Sequence, residues 1–118
     1  MRLFAFLAGA LLLTAFPAHA KPFAVVAAEN FYGDLAQQIG GPQVQVTSIL
    51  TNPNQDPHSF EASPSTARAI ADAGLVVYSG ADYDPWVANL LAASTVPERK
   101  VIVVADLMQR KSGDSSAK

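Results

Sequence analysis

The sequence contains no cysteine, and this absence narrows the chemistry that it can support. A thiolate zinc site is excluded, so any metal ion must be held by nitrogen and oxygen ligands. Histidine is scarce as well, since the 118 residues include only His19 and His58. Because His19 lies in the N-terminal leader proposed below, a single histidine is left, and no Ser-His-Asp triad can be argued from spacing.

Concentrated positive charge is also absent. The formal net charge is −2, and neither a basic cluster nor an alternation of basic and aromatic residues is present, which argues against a nucleic-acid partner. The glycines at 33, 40 and 41 do not form a phosphate cradle between a strand and a helix. No serine stands in the Gly-x-Ser-x-Gly turn of many hydrolases. These observations disfavour nucleic-acid binding, phosphate-loop chemistry and serine hydrolysis.

Residues 1–20 have the pattern of a secretory signal peptide. Arg2 precedes an apolar run over residues 3–16, and Ala18-His19-Ala20 has the small-x-small form of a cleavage site. The run is short for a membrane span, which needs ~20 apolar residues. We therefore predict a soluble periplasmic protein beginning at Lys21 and without stable membrane insertion. Loss of Arg2 leaves 7 basic against 10 acidic groups, a formal charge of −3.

Strand and helix patterns alternate along the remaining chain. Short apolar or β-branched runs predict four strands, at residues 23–28, 44–50, 75–79 and 101–104. The fourth is purely β-branched aliphatic, which is typical of central parallel strands. Strands alternating with helices at this spacing predict right-handed βαβ units. The predicted fold is an α/β lobe with a small, doubly wound, parallel four-stranded sheet and helices on both faces.

The helices between these strands are predicted from apolar spacing and from their ends. The first opens at Glu29 or Asn30 and stops at Gly40-Gly41, where glycine accepts a left-handed conformation. Ser63-Pro64 and Asp84-Pro85 each read as an N-cap followed by the first helical residue. The apolar positions that follow at helical spacing are Phe31, Leu35 and Ile39; Ala67, Ile70, Ala71 and Gly74; and Trp86, Val87, Leu90 and Leu91. A further element starts within residues 107–111.

His58 is the strongest candidate for a functional residue. It lies in a loop, residues 51–63, that leaves the carboxyl end of the second strand and is stiffened by prolines. Ligands of open α/β sheets bind beyond the carboxyl ends of the strands. Glu29 and residues 79–83 leave the ends of the first and third strands, so all three segments should share one rim. Neutral imidazole is the commonest protein ligand of transition metals.

The acidic neighbours Asp56, Glu61 and Glu29 leave two interpretations open. Each could orient the imidazole from outside the ligand set. Alternatively, Asp56 caps its own Asp-Pro turn, and Glu61 lies near the start of the following helix, where the helix dipole favours negative charge.

The loop DPHSFEASP, residues 56–64, resembles the first ligand loop of the periplasmic substrate-binding proteins of zinc and manganese ABC importers. Four further stretches are similar to the same family, namely AAENFYGDLA at 27–36, GG at 40–41, AGLVVYSG at 73–80 and DPW at 84–86. Ala62 departs from the pattern, because members often have proline there. The similarity runs from about residue 23 to residue 106.

This resemblance implies a receptor that binds Zn²⁺ or Mn²⁺ in the periplasm and delivers it to an ABC-type membrane permease, without enzymatic chemistry and as a monomer. His58 is the one family ligand that can be placed on this sequence. Family members are longer and have two lobes, so residues 21–110 are expected to form the N-terminal lobe and residues 111–118 a polar tail. The remaining ligands are expected beyond residue 118.

Two other functions remain open at this point. A periplasmic binding protein for a small organic solute could use the same cleft, with Trp86 or Tyr83 against the ligand. The helical spacing of Trp86 with Leu90 instead favours a core position. A secreted hydrolase lobe could use His58 as a base, but the sequence offers no nucleophile to accompany it.

Overall fold

The computed structural model describes residues 20–114, so the proposed leader lies outside the described residues apart from Ala20. Four strands alternate with four helices, and the four strands and first three helices are those that the sequence predicts. The fourth helix begins at Val104, which the sequence assigned to the fourth strand, and not within residues 107–111. The strands are β1 (Phe23–Glu29), β2 (Val44–Leu50), β3 (Leu75–Tyr78) and β4 (Lys100–Val103). The helices are α1 (Asn30–Gly40), α2 (Pro64–Asp72), α3 (Pro85–Ala93) and α4 (Val104–Asp114). A short 3₁₀ turn, Gly41–Gln43, joins α1 to β2.

All strand pairs are parallel, and the order across the sheet is β2-β1-β3-β4. This confirms the predicted α/β fold. The chain steps from β1 to β2 on one side and then returns to place β3 on the other side of β1. The strand order therefore reverses between β1 and β3, and in such sheets the crevice at the carboxyl ends of these strands is where ligands bind.

One face of the sheet is packed against α2 and α3. Val26 and Ala28 of β1 and Val76 of β3 form a buried cluster with Ile70 of α2 and Trp86 of α3. Alternate residues of a strand point to opposite faces, so this face takes every second position. The buried side of α2 differs slightly from the prediction. Ile70 is buried as expected, but Thr66 and Ala73 are its buried companions, while Ala67, Ala71 and Gly74 are only partly buried.

The opposite face, on the side of α1, is largely open. The predicted stripe of α1 exists but is exposed, with Phe31 at 54%, Leu35 at 56% and Ile39 at 79% of their accessible surface. An apolar groove of about 620 Å³ runs beside it, lined by Leu35, Ile39, Val77, Ile102 and Leu107 among others. Within residues 20–114, therefore, the two faces of the sheet are covered very unequally.

The prediction that the fourth strand has a central place in the sheet is wrong. Among residues 20–114, β4 pairs only with β3 and lies at the edge of the sheet, where Val101 is 43% and Ile102 is 38% exposed. The β-branched side chains of this run contribute to the lining of the apolar groove, and the strand is not buried on both faces of the sheet. β1 shows the contrasting case, since it lies between β2 and β3 and is buried from Val25 to Glu29.

The predicted helix ends are confirmed in part. Gly41 ends α1 with a φ of 53°, and its N–H donates to the carbonyl of Gln37. At the start of α2, Ser63 Oγ accepts a hydrogen bond of 3.2 Å from the N–H of Thr66. The described part of the chain contains no helix that is long and apolar enough to span a membrane.

Candidate metal-binding site

The rim predicted from the sequence is present at the carboxyl ends of β1, β2 and β3. Glu29 is the last residue of β1 and is paired in register with Leu50, the last residue of β2. The loop from β2 brings His58 to Tyr83, which follows β3, with the two ring centroids 5.2 Å apart. Ser79, also after β3, donates a long hydrogen bond of 3.4 Å from Oγ to Glu29 Oε2. The three segments therefore meet as expected.

His58 contacts Asp56 and Tyr83, and more than half of its side chain is exposed to solvent. Asp56 Oδ1 lies 3.0 Å from His58 Nδ1 and accepts a 3.0 Å hydrogen bond from the backbone N–H of His58. Ser59 Oγ donates to the second oxygen, Oδ2, at 3.2 Å. The side chain of His58 is 59% exposed. With Nδ1 engaged by the carboxylate, Nε2 is the ring nitrogen left to bind a ligand.

Asp56 thus combines the two roles that the sequence left open. It caps its own turn by accepting the amide two residues ahead, and it also contacts the imidazole ring. The backbone N–H of His58, followed by its ring, holds the pKa of the Asp56 carboxyl below its ordinary value. A carboxylate that binds one nitrogen of a histidine fixes its tautomer and raises the basicity of the other nitrogen.

The His58 loop is anchored by an aromatic contact on its C-terminal side. The Phe60 ring packs against Trp86, with 4.7 Å between centroids. Trp86 is 6% exposed and belongs to the buried cluster under α2 and α3, which confirms the core interpretation of this residue. The loop therefore rests on the core through Phe60, while His58 two residues earlier stays in solvent.

The turn after β3 is unusual in its backbone. Gly80, Ala81 and Asp82 follow one another with φ values of 73°, 50° and 61°. Left-handed conformations at residues other than glycine are uncommon and persist when surrounding contacts impose them. Those contacts come from Asp84, whose Oδ2 accepts the N–H of Ser79 at 2.7 Å and whose Oδ1 accepts the N–H of Gly80 at 2.8 Å.

The expected capping role of Asp84 is therefore wrong in its detail. Asp84 does occupy the N-cap position of α3, but its side chain makes no capping hydrogen bond to the helix. Both carboxylate oxygens are instead used by the turn that precedes it. The side chain is 1% exposed, so the turn is held by hydrogen bonds to a buried carboxyl group.

Glu29 is a second buried carboxyl group at this rim. It is 3% exposed, and Oε1 has no hydrogen-bond partner among the described residues. Burial, followed by repulsion from Asp84 and hydrogen bonding with it, raises the pKa of Glu29 to about 8. Tyr32 Oη is hydrogen-bonded to Ser79 Oγ at 3.1 Å and extends this polar network toward α1. The sequence placed Glu29 on this rim and left open that it orients His58, but the contacts of its side chain are with Ser79 and Asp84, and its burial beside Asp84 was not predicted.

The described residues do not bring together a full set of metal ligands. Within residues 20–114 there is no group of three or more histidine, cysteine or acidic side chains that could hold a metal ion. Glu61 is exposed, three residues before Pro64. The arrangement offers one solvent-facing imidazole whose second nitrogen is bound by a carboxylate, which suits one contribution to a nitrogen- and oxygen-ligated site.

Comparison with known proteins points in the same direction. A family model described as zinc-uptake complex component A, periplasmic (ZnuA), matches residues 25–118. The high-affinity zinc uptake system protein ZnuA of Paracoccus denitrificans is 35% identical over 101 residues, covering 86% of this chain and 30% of that protein. The manganese-binding lipoprotein MntA of Bacillus subtilis is 30% identical over 89 residues, covering 66% of this chain and 29% of that protein.

The solved structures agree on the fold. The periplasmic zinc-binding protein TroA of Treponema pallidum superposes with a TM-score of 0.64 at 21% identity, covering 73% of this chain and 30% of that one. The chain thus spans about a third of the length of the relatives that it matches.

Proposed function

The chain belongs to the family of periplasmic zinc-uptake components, and on that premise we propose that it binds Zn²⁺ or Mn²⁺ in the periplasm and contributes to its delivery to an ABC-type importer. The observation that supports this most directly is the geometry of His58. Its Nδ1 lies 3.0 Å from Asp56, and its side chain is more than half exposed. His58 is the metal ligand and binds through Nε2.

The Asp56 contact makes the imidazole a better ligand in two ways. It selects the neutral tautomer whose proton is on Nδ1, which leaves the lone pair of Nε2 for the metal. It also limits rotation of the ring, so less conformational entropy is lost when the metal binds. Nitrogen and oxygen ligation accommodates both zinc and manganese, and affinity order alone does not choose between them.

The remaining ligands come from outside the described residues. Zinc takes four ligands, or three and a water, and one imidazole is present here. Since the relatives are about three times as long as the matched segment, a second lobe is the natural source. Residues 21–110 act as one lobe of a monomeric receptor that binds and releases its cargo without enzymatic chemistry.

The organic-solute alternative loses its support from the two aromatic residues. Trp86 is buried beneath Phe60 and offers no stacking surface to a ligand. Tyr83 contacts the His58 ring, so its ring is already engaged at the metal-binding imidazole. The relatives ZnuA, MntA and TroA are named for zinc or manganese.

Metal content of the intact secreted protein tests the proposal, with wild type compared with His58→Ala. We expect about one zinc or manganese ion per molecule in the wild type and its loss in the variant, because a missing imidazole leaves the site one ligand short. Gln55→Ala is a matched control, because Gln55 is an exposed residue of the same loop. Its backbone N–H, which the substitution retains, donates a hydrogen bond to the carbonyl of Asn52. Its metal content should equal that of the wild type.

Residues 21–118 alone should bind Zn²⁺ much more weakly than the intact protein. A wild type that takes up neither metal after reconstitution would reject the receptor function. Unchanged metal content in His58→Ala would reject the ligand assignment, and tight one-to-one binding by residues 21–118 would show that this segment contains further ligands.

A further inference from the structure

The ring of His58 has two neighbours, and the proposed function uses only one of them. Asp56 Oδ1 lies 3.0 Å from Nδ1, whereas Tyr83 packs against the ring edge-on, with 5.2 Å between centroids and 71° between planes. A single hydrogen bond at Nδ1 still allows the ring to pivot about that bond. An edge-to-face aromatic contact removes this freedom, because it favours one tilt of the ring.

Tyr83 is held in place by a turn whose conformation is unfavourable by itself. Ala81 and Asp82 both have positive φ, next to Gly80. The turn is closed by the hydrogen bond from the Tyr83 N–H to the Gly80 carbonyl, 3.0 Å long, and by the two amides that donate to Asp84. Asp84 is almost fully buried, so the turn is fixed to the body of the lobe.

The His58 loop thereby makes two aromatic contacts with the segment formed by the β3–α3 turn and the start of α3. On the core side, Phe60 packs on Trp86, and on the solvent side, His58 packs on Tyr83. Phe60 belongs to the loop that contains His58, and Trp86 to the helix that follows Tyr83. The first contact anchors the loop as a whole, whereas the second acts on the imidazole itself.

We propose that Tyr83 is a positioning residue for metal binding: presented by the left-handed turn at residues 80–82, its ring sets the tilt of the His58 imidazole and so directs Nε2 toward the metal. The inference rests on the proposed function of His58. The aromatic ring supplies this effect, so the phenol hydroxyl is dispensable.

Zn²⁺ affinity of the intact secreted protein, measured by competition with a chelating dye, tests this in a series of variants. Tyr83→Ala should weaken binding roughly three- to tenfold, in line with the size of an aromatic pair. Tyr83→Phe keeps the ring and should restore wild-type affinity. Phe31→Ala, which removes an exposed aromatic residue on α1, is the control and should leave affinity unchanged.

Nitrogen-15 NMR of the His58 ring without metal provides a readout specific to positioning. In the wild type and Tyr83→Phe, one neutral tautomer with the proton on Nδ1 should dominate, with a fixed set of ring-proton shifts. In Tyr83→Ala these shifts should move toward averaged values. The fluorescence of Trp86, the only tryptophan in the sequence, should stay constant in all variants, because the Phe60 anchor is untouched.

The outcomes separate this inference from the function on which it rests. If His58→Ala abolishes Zn²⁺ binding while Tyr83→Ala changes neither affinity nor ring shifts, Tyr83 has no positioning role. A change of Trp86 fluorescence in Tyr83→Ala, or a failure of Tyr83→Phe to restore affinity, would also overturn it. If His58→Ala leaves Zn²⁺ binding intact, His58 is not a metal ligand. The positioning role of Tyr83 in metal binding is then rejected as well.

Discussion

Two aspartates stabilise the two loops of the rim by the same chemical means but in opposite surroundings. Asp56 accepts the amide of His58 in a solvent-exposed loop, and Asp84 accepts the amides of Ser79 and Gly80 at a site that is 1% exposed. Water has free access to the hydrogen bonds of Asp56, whereas those of Asp84 are partly buried. The β3–α3 turn is therefore held by a buried side chain, whereas the His58 loop presents its aspartate and its imidazole to solvent.

Asp84→Ala should produce the largest effect. Two partly buried backbone N–H groups lose their acceptor, and a fully buried unsatisfied group would cost about 1–3 kcal/mol. Relief of the repulsion with Glu29 offsets part of this loss, so we expect the free energy of unfolding to fall by about 2–4 kcal/mol. Urea denaturation of the purified chain measures it.

Asp72→Ala is the matched control, since Asp72 is exposed at the end of α2 and should change stability by less than ~0.5 kcal/mol. Equal effects of the two substitutions would mean that burial of Asp84 adds no stability to the turn.

Glu29→Gln should produce the next largest effect, visible as a change in pH dependence. The pKa of Glu29 is raised from 4.5 to about 8 in the folded state, so the native protein binds this proton more tightly than the unfolded chain. The associated stability is fully present below pH ~4.5 and is lost as the pH rises through ~8. Since one pKa unit corresponds to ~1.4 kcal/mol, the wild type should lose a few kcal/mol over this range relative to the variant.

Denaturation at several pH values between 4 and 9 measures this difference. Glu61→Gln removes an exposed carboxyl group and serves as the control, with a profile parallel to that of the wild type. If the free energy of unfolding varied with pH in the same way in the wild type and in Glu29→Gln, the pKa of Glu29 would not be raised by its burial and by Asp84.

Asp56→Asn should have the smallest effect on stability and a clear effect on function. The side chain is exposed, so the unfolding midpoint should not change measurably. The amide retains an oxygen for the turn but loses the charge that orients His58, and such outer partners affect metal affinity by about 10–100-fold. Zn²⁺ titration beside thermal denaturation checks both parts. Unaltered affinity would restrict Asp56 to the turn.

Much of the fold could be predicted because its signals are local in the chain. The buried run at residues 25–28, the Gly41 stop and the Ser63 cap each depend on residues within one turn or strand, and all appear as expected. The edge position of β4 could not be predicted in the same way. A β-branched run fits both a central strand and an edge strand above an apolar groove, and only the strand order distinguishes them.

The features of the candidate site also fall into those that depend on neighbouring residues and those that depend on distant ones. The position of His58 beyond β2 follows from the parallel topology, and the contact with Asp56 follows from a separation of two residues. The surroundings of Glu29 depend on Ser79, which is 50 residues away, and on Asp84 beyond it. A pattern of neighbouring residues in the sequence does not indicate a contact between residues so far apart.

By itself, the sequence determined the alternation of strands and helices, the placement of His58 in a proline-bounded loop and the resemblance to metal receptors, because each depends on neighbours in the chain. The tertiary structure alone decided which surfaces are buried, that Asp84 supports a turn instead of a helix, and that Tyr83 contacts the imidazole. These features arise where segments distant in sequence meet, since burial and the energy of a charge depend on every group that the fold places around it.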